Sequence, residues 1–335
     1  MSASVSPLNW TGNQGCIYET IAAFMPEHST YIEPCMGSAE VFLRKPPVEK
    51  EYINDYNGDL VHFFRTLQSS EKLAYLLGRL CLSFNAEELF ARNKLLLAEV
   101  PNILDDARET AKIITAAPWD DIQKAAAFFE NQVFSFSSTG KSFAIAKKDM
   151  TKRLPRLIAA CARLRNAIIM HRDYKDVIQY AACPGAFILL DPPYKGTEKM
   201  YQKSRFGSKE HARLFALMYA IDRKYQGECK FLITYNNDPE ILALAEQYEF
   251  HTHVQPRLHN MAQASKPGEQ FEELLIANYD LEAQAEANHR PIAPQDSQLS
   301  LFDYQCDYTR FLFQLIATSM EIQPGRFMIV YPPFI

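Results

Sequence analysis

The stretch that most limits the fold is Phe187-Ile188-Leu189-Leu190, which runs directly into Asp191-Pro192-Pro193-Tyr194. Four large apolar residues in a row are too few for a helix. They read as a strand buried on both faces, as in a parallel sheet. The strand has to stop at Asp191, because Pro192 and Pro193 lack N–H donors and fix φ, so the ladder cannot continue. Open α/β sheets place their ligands at the carboxyl ends of such strands. The ledge carries a carboxylate, two carbonyls without local partners and an aromatic ring. That set suits a flat heterocycle with an exocyclic amine, its ring on Tyr194 and its amine donating to Asp191 and a proline carbonyl. The plainer reading is a strand end followed by a proline turn, and the residues upstream decide between the two.

Upstream, Tyr31 to Leu43 reads as strand, small-residue turn and helix, with Glu33 closing the strand and Gly37 in the turn. Gly37 permits close backbone approach, and the helix that follows offers free N–H groups at its start. The turn lacks the full GxGxxG and has no P-loop lysine, so it suits a carboxylate tail as well as a phosphate. A second strand, Tyr52 to Asn54, ends in Asp55. An acid there, roughly 20 residues past a glycine turn, is placed to accept both hydroxyls of a ribose; the alternative is an N-cap for the helix Leu60 to Leu67. Trp10 lies in the polar, turn-like stretch Pro7 to Gln14, either as a core plug or as a stacking platform, and Ile17 to Met25 reads as a short amphipathic helix.

The alternation resumes after residue 165. Asn166 to His171 reads as a third strand with Asp173 and Tyr174 at its end, followed by the ledge strand. An amphipathic helix over Lys209 to Tyr225, a buried strand Phe231 to Tyr235 and a helix capped at Asn236 to Asp238 come next. Phe250 to Val254 and Glu273 to Tyr279 read as closing strands that could pair as a hairpin. Between them lies a polar loop, Pro256 to Glu269.

The pattern is interrupted over residues 69–165, where Glu71–Leu82, Glu87–Val100, Asp105–Ala116 and Trp119–Phe129 carry helical periodicity. This predicts an inserted helical domain between two parts of one α/β domain, residues 1–68 and 166–280. The end of the insertion is basic: Lys141, Lys147, Lys148, Lys152, Arg153, Arg156, Arg163, Arg165 and Arg172 stand against Asp149 alone. In a chain of net charge −5 that clustering is a candidate phosphate-binding face; the alternative is a solvated helix face. Phe134 to Gly140, just before it, is a polar, aromatic loop able to probe a groove. Residues 281–335 form a linker and a C-terminal tail.

With 335 residues and nearly half of them apolar, the chain can bury a full core. No run approaches the roughly 20 apolar residues of a membrane span, and the N-terminus shows no signal pattern. The seven scattered cysteines, without a CxxC pair, read as free thiols in a reducing cytoplasm. The histidines, including His251 and His253, give no metal spacing, so no metal is expected.

Taken in order, Trp10 to Gln14, Glu33-Pro34-x-x-Gly37, Asn54-Asp55-x-Asn57, Asp173-Tyr174, Asp191-Pro192-Pro193-Tyr194 and Glu272-Glu273-Leu274-Leu275 resemble the Dam-type, alpha-class family of adenine-specific DNA methyltransferases. The resemblance covers about residues 8 to 280. It implies a Rossmann-like sheet that binds S-adenosylmethionine, with a helical insertion that recognises double-stranded DNA. By position, Trp10 and the Gly12 turn would flank the cofactor, Glu33 and Gly37 would line its methionine tail, Asp55 would hold the ribose, and Asp173 with Tyr174 the adenine edge. Gln14 stands where members often carry a lysine that contacts the cofactor and the DPPY aspartate, and Ala39 where a second glycine is common.

The chemistry implied is transfer of a sulfonium methyl to the N6 amine of an adenine flipped out of the duplex. Asp191, Pro192, Pro193 and Tyr194 would act on that base. Lys141, Lys147, Lys148, Lys152, Arg153 and Arg156 would contact the DNA backbone, and the setting would be the cytoplasmic nucleoid. The rivals are an amino-methyltransferase for cytosine N4 or RNA and a silent DNA-binding module of the same fold. In the tail, Gln298-Leu299-Ser300-Leu301-Phe302 resembles the peptide with which bacterial replication proteins dock into the sliding clamp; it could instead pack back on its own domain.

Overall fold

A computed structural model describes residues 4–10, 12–83, 85–99, 118–136, 140–145, 149–197, 206–258 and 270–288. The helix expected over Asp105–Ala116, Lys147 and Lys148, most of the loop after Pro256 and the peptide Gln298–Phe302 lie outside the described residues.

Seven strands form one sheet: β1 Thr30–Glu33, β2 Lys50–Asn54, β3 Ile168–Met170, β4 Ala186–Leu190, β5 Lys230–Asn236, β6 His251–Leu258 and β7 Gln270–Ala277. Their order is β3-β2-β1-β4-β5-β7-β6. β1 to β5 pair in parallel, whereas β7 runs antiparallel to β5 and forms a hairpin with β6. Strand order reverses between β1 and β4, and at such a switch point the carboxyl ends of neighbouring strands open a crevice. Glu33 closes β1 and Asp191 follows β4, so the topology sets both at this crevice.

Every residue of β4 is buried, as its unbroken apolar run predicts. Phe187 and Leu189 join the core on one face and Ile188 and Leu190 the core on the other. The second face is covered by α8 Tyr174–Ala181, α9 Ser208–Lys224 and α10 Pro239–Gln247, through Val177, Phe215 and Ile241. The first is covered by α1 Tyr18–Phe24, α3 Gly58–Gln68 and α7 Leu154–Leu164; the remaining short helix on the amino side of β2 is α2 Glu40–Arg44.

The inserted helices α4 Ser70–Cys81, α5 Glu87–Glu99 and α6 Pro118–Phe134 extend this first core. Phe63 of α3 stacks on Phe129 of α6 with ring centroids 5.4 Å apart and 7° between planes, and Phe128 lies 5.7 Å from it. Phe63, Phe64 and Phe129 are fully buried, each contributing about 1.5–3 kcal/mol of transfer free energy. One continuous apolar cluster therefore joins the insertion to the sheet.

Arg163, counted in the sequence with the basic run, is an internal tie. Its guanidinium donates to both oxygens of Glu51 at 2.5 and 2.7 Å and lies 3.9 Å over the Phe42 ring. Lys45 donates to the same carboxylate at 2.6 Å. A buried acid needs such partners to stay charged, and the triad pins α7 to β2 and to the end of α2. At the other end of the body, α11 Leu281–Ala287 docks on α1, with Tyr279 Oη donating to the Phe24 carbonyl at 2.9 Å and Asn288 to those of Ala23 and Met25.

Candidate active site

Asp191 leaves β4 and turns at once, because Pro192 is buried and cannot continue the ladder. Its Oδ1 accepts from Gln14 Nε2 at 2.6 Å and from Thr234 Oγ1, on β5, at 2.7 Å. The Gln14 amide also donates to Tyr194 Oη at 3.0 Å, and that phenol donates to Glu273 on β7. The Tyr194 ring packs near Tyr235 and lies within 10° of parallel to Phe271. Three chain segments distant in sequence thus converge on the ledge.

A cleft of about 840 Å³ opens in front of it, within the size range of small-molecule and cofactor sites. Trp10, Gln14, Glu33, Gly37, Asp55, Asp173 and Tyr174 all line it, together with Asp191 and Pro193. Pro192 and Tyr194 are not among its lining residues.

Gly37 adopts φ +48°, a conformation that costs an L side chain about 1–2 kcal/mol. A Cβ there would lie 3.2 Å from Cδ1 and Nε1 of Trp10. The indole covers the turn from the cleft side and packs on Phe128, with centroids 6.4 Å apart, so it joins core and cleft at once. Ala39 holds φ 55° with no exposed surface, so a glycine suits this position through its backbone. Asp55 is not the N-cap of α3; Asn57 is. Asp55 instead accepts from the Gly37 amide at 3.0 Å and the Asn57 amide at 2.8 Å. Asn54, fully buried, donates to the carbonyls of Pro34 and Arg172 and accepts from the Arg172 amide at 2.8 Å, tying the ends of β1, β2 and β3.

The cleft is acidic, and burial perturbs two of its acids. Burial pushes the Asp55 carboxyl up to about 6 against the pull of the Asn57, Gly37 and Tyr56 amides. Glu33 rises to about 8, chiefly through burial, with the Tyr31 hydroxyl at 2.8 Å opposing and Asp191 reinforcing the shift. Asp173 caps α8 by accepting from the Lys175 amide at 3.0 Å, while Tyr174 Oη donates to Glu210 at 3.2 Å. A glycine cradle, a carboxylate past β2 and several more acids form a donor set that fits a cationic nucleoside with an amino-acid tail.

A family model for D12 class N6 adenine-specific DNA methyltransferases matches residues 10–261. The chain belongs to this family. It is 27% identical over 255 residues to the DNA N-6-adenine-methyltransferase of Escherichia phage P1. That match covers 71% of this chain and 31% of the phage protein, so the chain spans just under a third of its relative's length. The D12 class match takes in the whole crevice, from Trp10 through Asp191 to Thr234.

Within this D12 chain the basic candidates separate. Lys141 is exposed and lines the cleft, and Lys152 is exposed. Arg156 is partly buried. Arg153 donates to the Pro7 carbonyl at 3.4 Å and to Asn9 Oδ1 at 3.2 Å, which anchors the segment that carries Trp10. Near Gly140 and Lys141 in the chain, Phe136 and Ile145 expose 66% and 98% of their surface.

Sequence reasoning places Asn54 and Glu273 within motifs without giving them a role, and misses Thr234, Glu210 and Lys94. Lys94 lines the cleft and donates to the Lys141 carbonyl at 3.0 Å, yet in sequence it is one lysine on an amphipathic helix. The polar residues inside strands could have been flagged by their apolar neighbours alone.

Proposed function

We propose that this protein transfers the methyl group of S-adenosylmethionine to the N6 amine of an adenine in double-stranded DNA. The observation that carries this reading is Asp191: a carboxylate on a proline-stiffened ledge, held by Gln14 and Thr234, facing the same cleft as Gly37 and Asp55. Family membership supports the reaction and the use of DNA.

When bound, S-adenosylmethionine supplies a methyl group on a positively charged sulfur. In this reading Glu33 and Gly37 hold its methionine tail, Asp55 its ribose, Asp173 and Tyr174 its adenine edge, and Trp10 with the Gly12 turn covers it. An adenine amine is a poor nucleophile because its lone pair is delocalised into the ring. Asp191 and a carbonyl of Pro192 or Pro193 accept hydrogen bonds from its two N–H groups and draw the pair out of conjugation, and the one N6 proton given up on methylation passes to Asp191 and on to solvent. Preorganised acceptors and close positioning do the rest. The base is flipped from the duplex at a cost of a few kcal/mol. The sequence pattern suggests stacking on Tyr194, but that ring packs on Phe271 and Tyr235 and does not line the cleft, so Tyr194 is assigned to supporting the ledge instead. Lys141, Lys152 and Arg156, with Lys147 and Lys148, hold the phosphates, and residues 69–165 serve as the target-recognition insertion. The peptide Gln298–Phe302 is assigned to a sliding clamp, and the enzyme to the nucleoid, on sequence alone.

The test is incorporation of labelled methyl groups into unmethylated duplex DNA, followed by mapping of the modified base. Methyladenine formed by the wild type and abolished in Asp191→Ala, with DNA binding retained, is the expected result. Turnover undiminished in Asp191→Ala, or label found on cytosine, overturns it.

A further inference from the structure

Glu273 has no exposed surface and sits in the middle of β7, paired in register with Asn236 of β5 and Gln255 of β6. A carboxylate so placed is costly for the fold alone, since burying a charge is unfavourable unless it is matched. Its neighbours Leu274, Leu275 and Ile276 are the residues such a strand calls for. The phenol of Tyr194, on the ledge itself, donates to it. The same phenol oxygen accepts from Gln14 Nε2 at 3.0 Å, and Gln14 also donates to Asp191 at 2.6 Å. The Tyr194 hydroxyl is therefore held on both sides, and the ring plane is set against Phe271 and Tyr235.

Resting on the reaction proposed above, we infer that Glu273 is a positioning residue for that reaction: it grips the Tyr194 hydroxyl and so sets the geometry of the Asp191–Tyr194 ledge through Gln14. It touches no substrate atom. Burial and the adjacent Glu273 carboxylate both raise the Tyr194 phenol well above its ordinary range, so the proton stays on the phenol and the bond keeps its direction. An acceptor at position 273 is what the device needs, and a glutamine oxygen provides one.

The test compares Glu273→Leu and Glu273→Gln in the full chain, with steady-state kinetics on duplex DNA and with 3-fluorotyrosine at position 194 read by fluorine NMR. Expected is a kcat lowered roughly 10- to 100-fold in Glu273→Leu with KM for cofactor and DNA unchanged, as a misplaced group would give. Glu273→Gln restores most of it. The fluorine signal moves in the leucine variant and not in the glutamine one. Wild-type kcat in Glu273→Leu, or equal losses in both variants with an unmoved fluorine signal, overturns the inference. If Glu273→Leu does not fold, Tyr194→Phe removes the same bond from the other side. Wild-type kcat there overturns the inference as well, and a loss of the same size supports it. Absence of methyl transfer by the wild type would sink the proposed reaction, whereas the fluorine signal reads the grip on Tyr194 independently of turnover.

Discussion

The side-chain amide of Gln14 and the carboxylate of Asp191, 177 positions apart in the chain, meet at 2.6 Å. Thr234 reaches the same oxygen from the next strand at 2.7 Å. Two neutral donors hold an anion at the crevice, and neither adds a charge to the site.

Removing either donor loosens Asp191 while leaving its charge. Gln14→Leu and Thr234→Val are each expected to lower kcat roughly tenfold, about the worth of one charge-assisted hydrogen bond. Because both donors act on one oxygen, their losses should not add. Kinetics on the two single variants and the double variant check this; strictly additive losses would mean that the donors act independently.

Glu33 links stability to pH. With a folded-state value of about 8 and an ordinary value in the unfolded chain, Glu33 is protonated when folded and ionised when unfolded over the interval between. Its contribution to stability is fully present below the unfolded value and is lost as pH rises through 8. Glu33→Gln, which keeps an acceptor for the Tyr31 hydroxyl, should therefore be more stable than the wild type at pH 9 by up to about 5 kcal/mol. The gap should close towards pH 5. Thermal melts of both proteins across pH decide it, and a constant offset would contradict the assignment.

Gly37→Ala tests the cradle. The substitution places a methyl group at φ +48° and against Trp10, costing about 1 kcal/mol, or a fall in Tm of about 2–4 °C. It also pushes the indole into the cleft. Calorimetric titration with S-adenosylmethionine should show weakened binding beyond what the melt explains; unchanged affinity would place the cofactor elsewhere.

Lys141 and Arg163 stand in one basic run, yet the first is exposed at the cleft and the second is tied to Glu51. Lys141→Ala should weaken DNA binding and reduce the salt slope by about 0.9, with the Tm unchanged. Arg163→Ala should leave the slope alone and destabilise the fold by about 3 kcal/mol, since Glu51 loses a bidentate partner while remaining buried. Filter binding across salt concentrations, beside thermal melts, separates the two.

The ledge was legible because its causes are local: an apolar run, two prolines, an acid between them. Gly37 and Asp55 were legible for the same reason, as a turn and a strand end. Thr234 was not. Between Ile233 and Tyr235 it reads as one more β-branched strand residue, and only the register of β5 beside β4 aims its hydroxyl at Asp191. Glu272-Glu273 reads as the start of a closing strand, and only the packed sheet shows that the first is exposed and the second buried. Arg163 shows the converse, a charge that composition assigns to the surface and that tertiary packing turns inward.

The stack of Phe63 on Phe129 carries an engineering consequence. The helical insertion, cut from this chain at residue 69 and grafted onto a relative, would leave behind α3, whose Phe63 and Phe64 complete its interior. Any transplant of the proposed recognition segment would have to move Gly58–Gln68 with the graft, or rebuild that seam by matched substitutions on both sides.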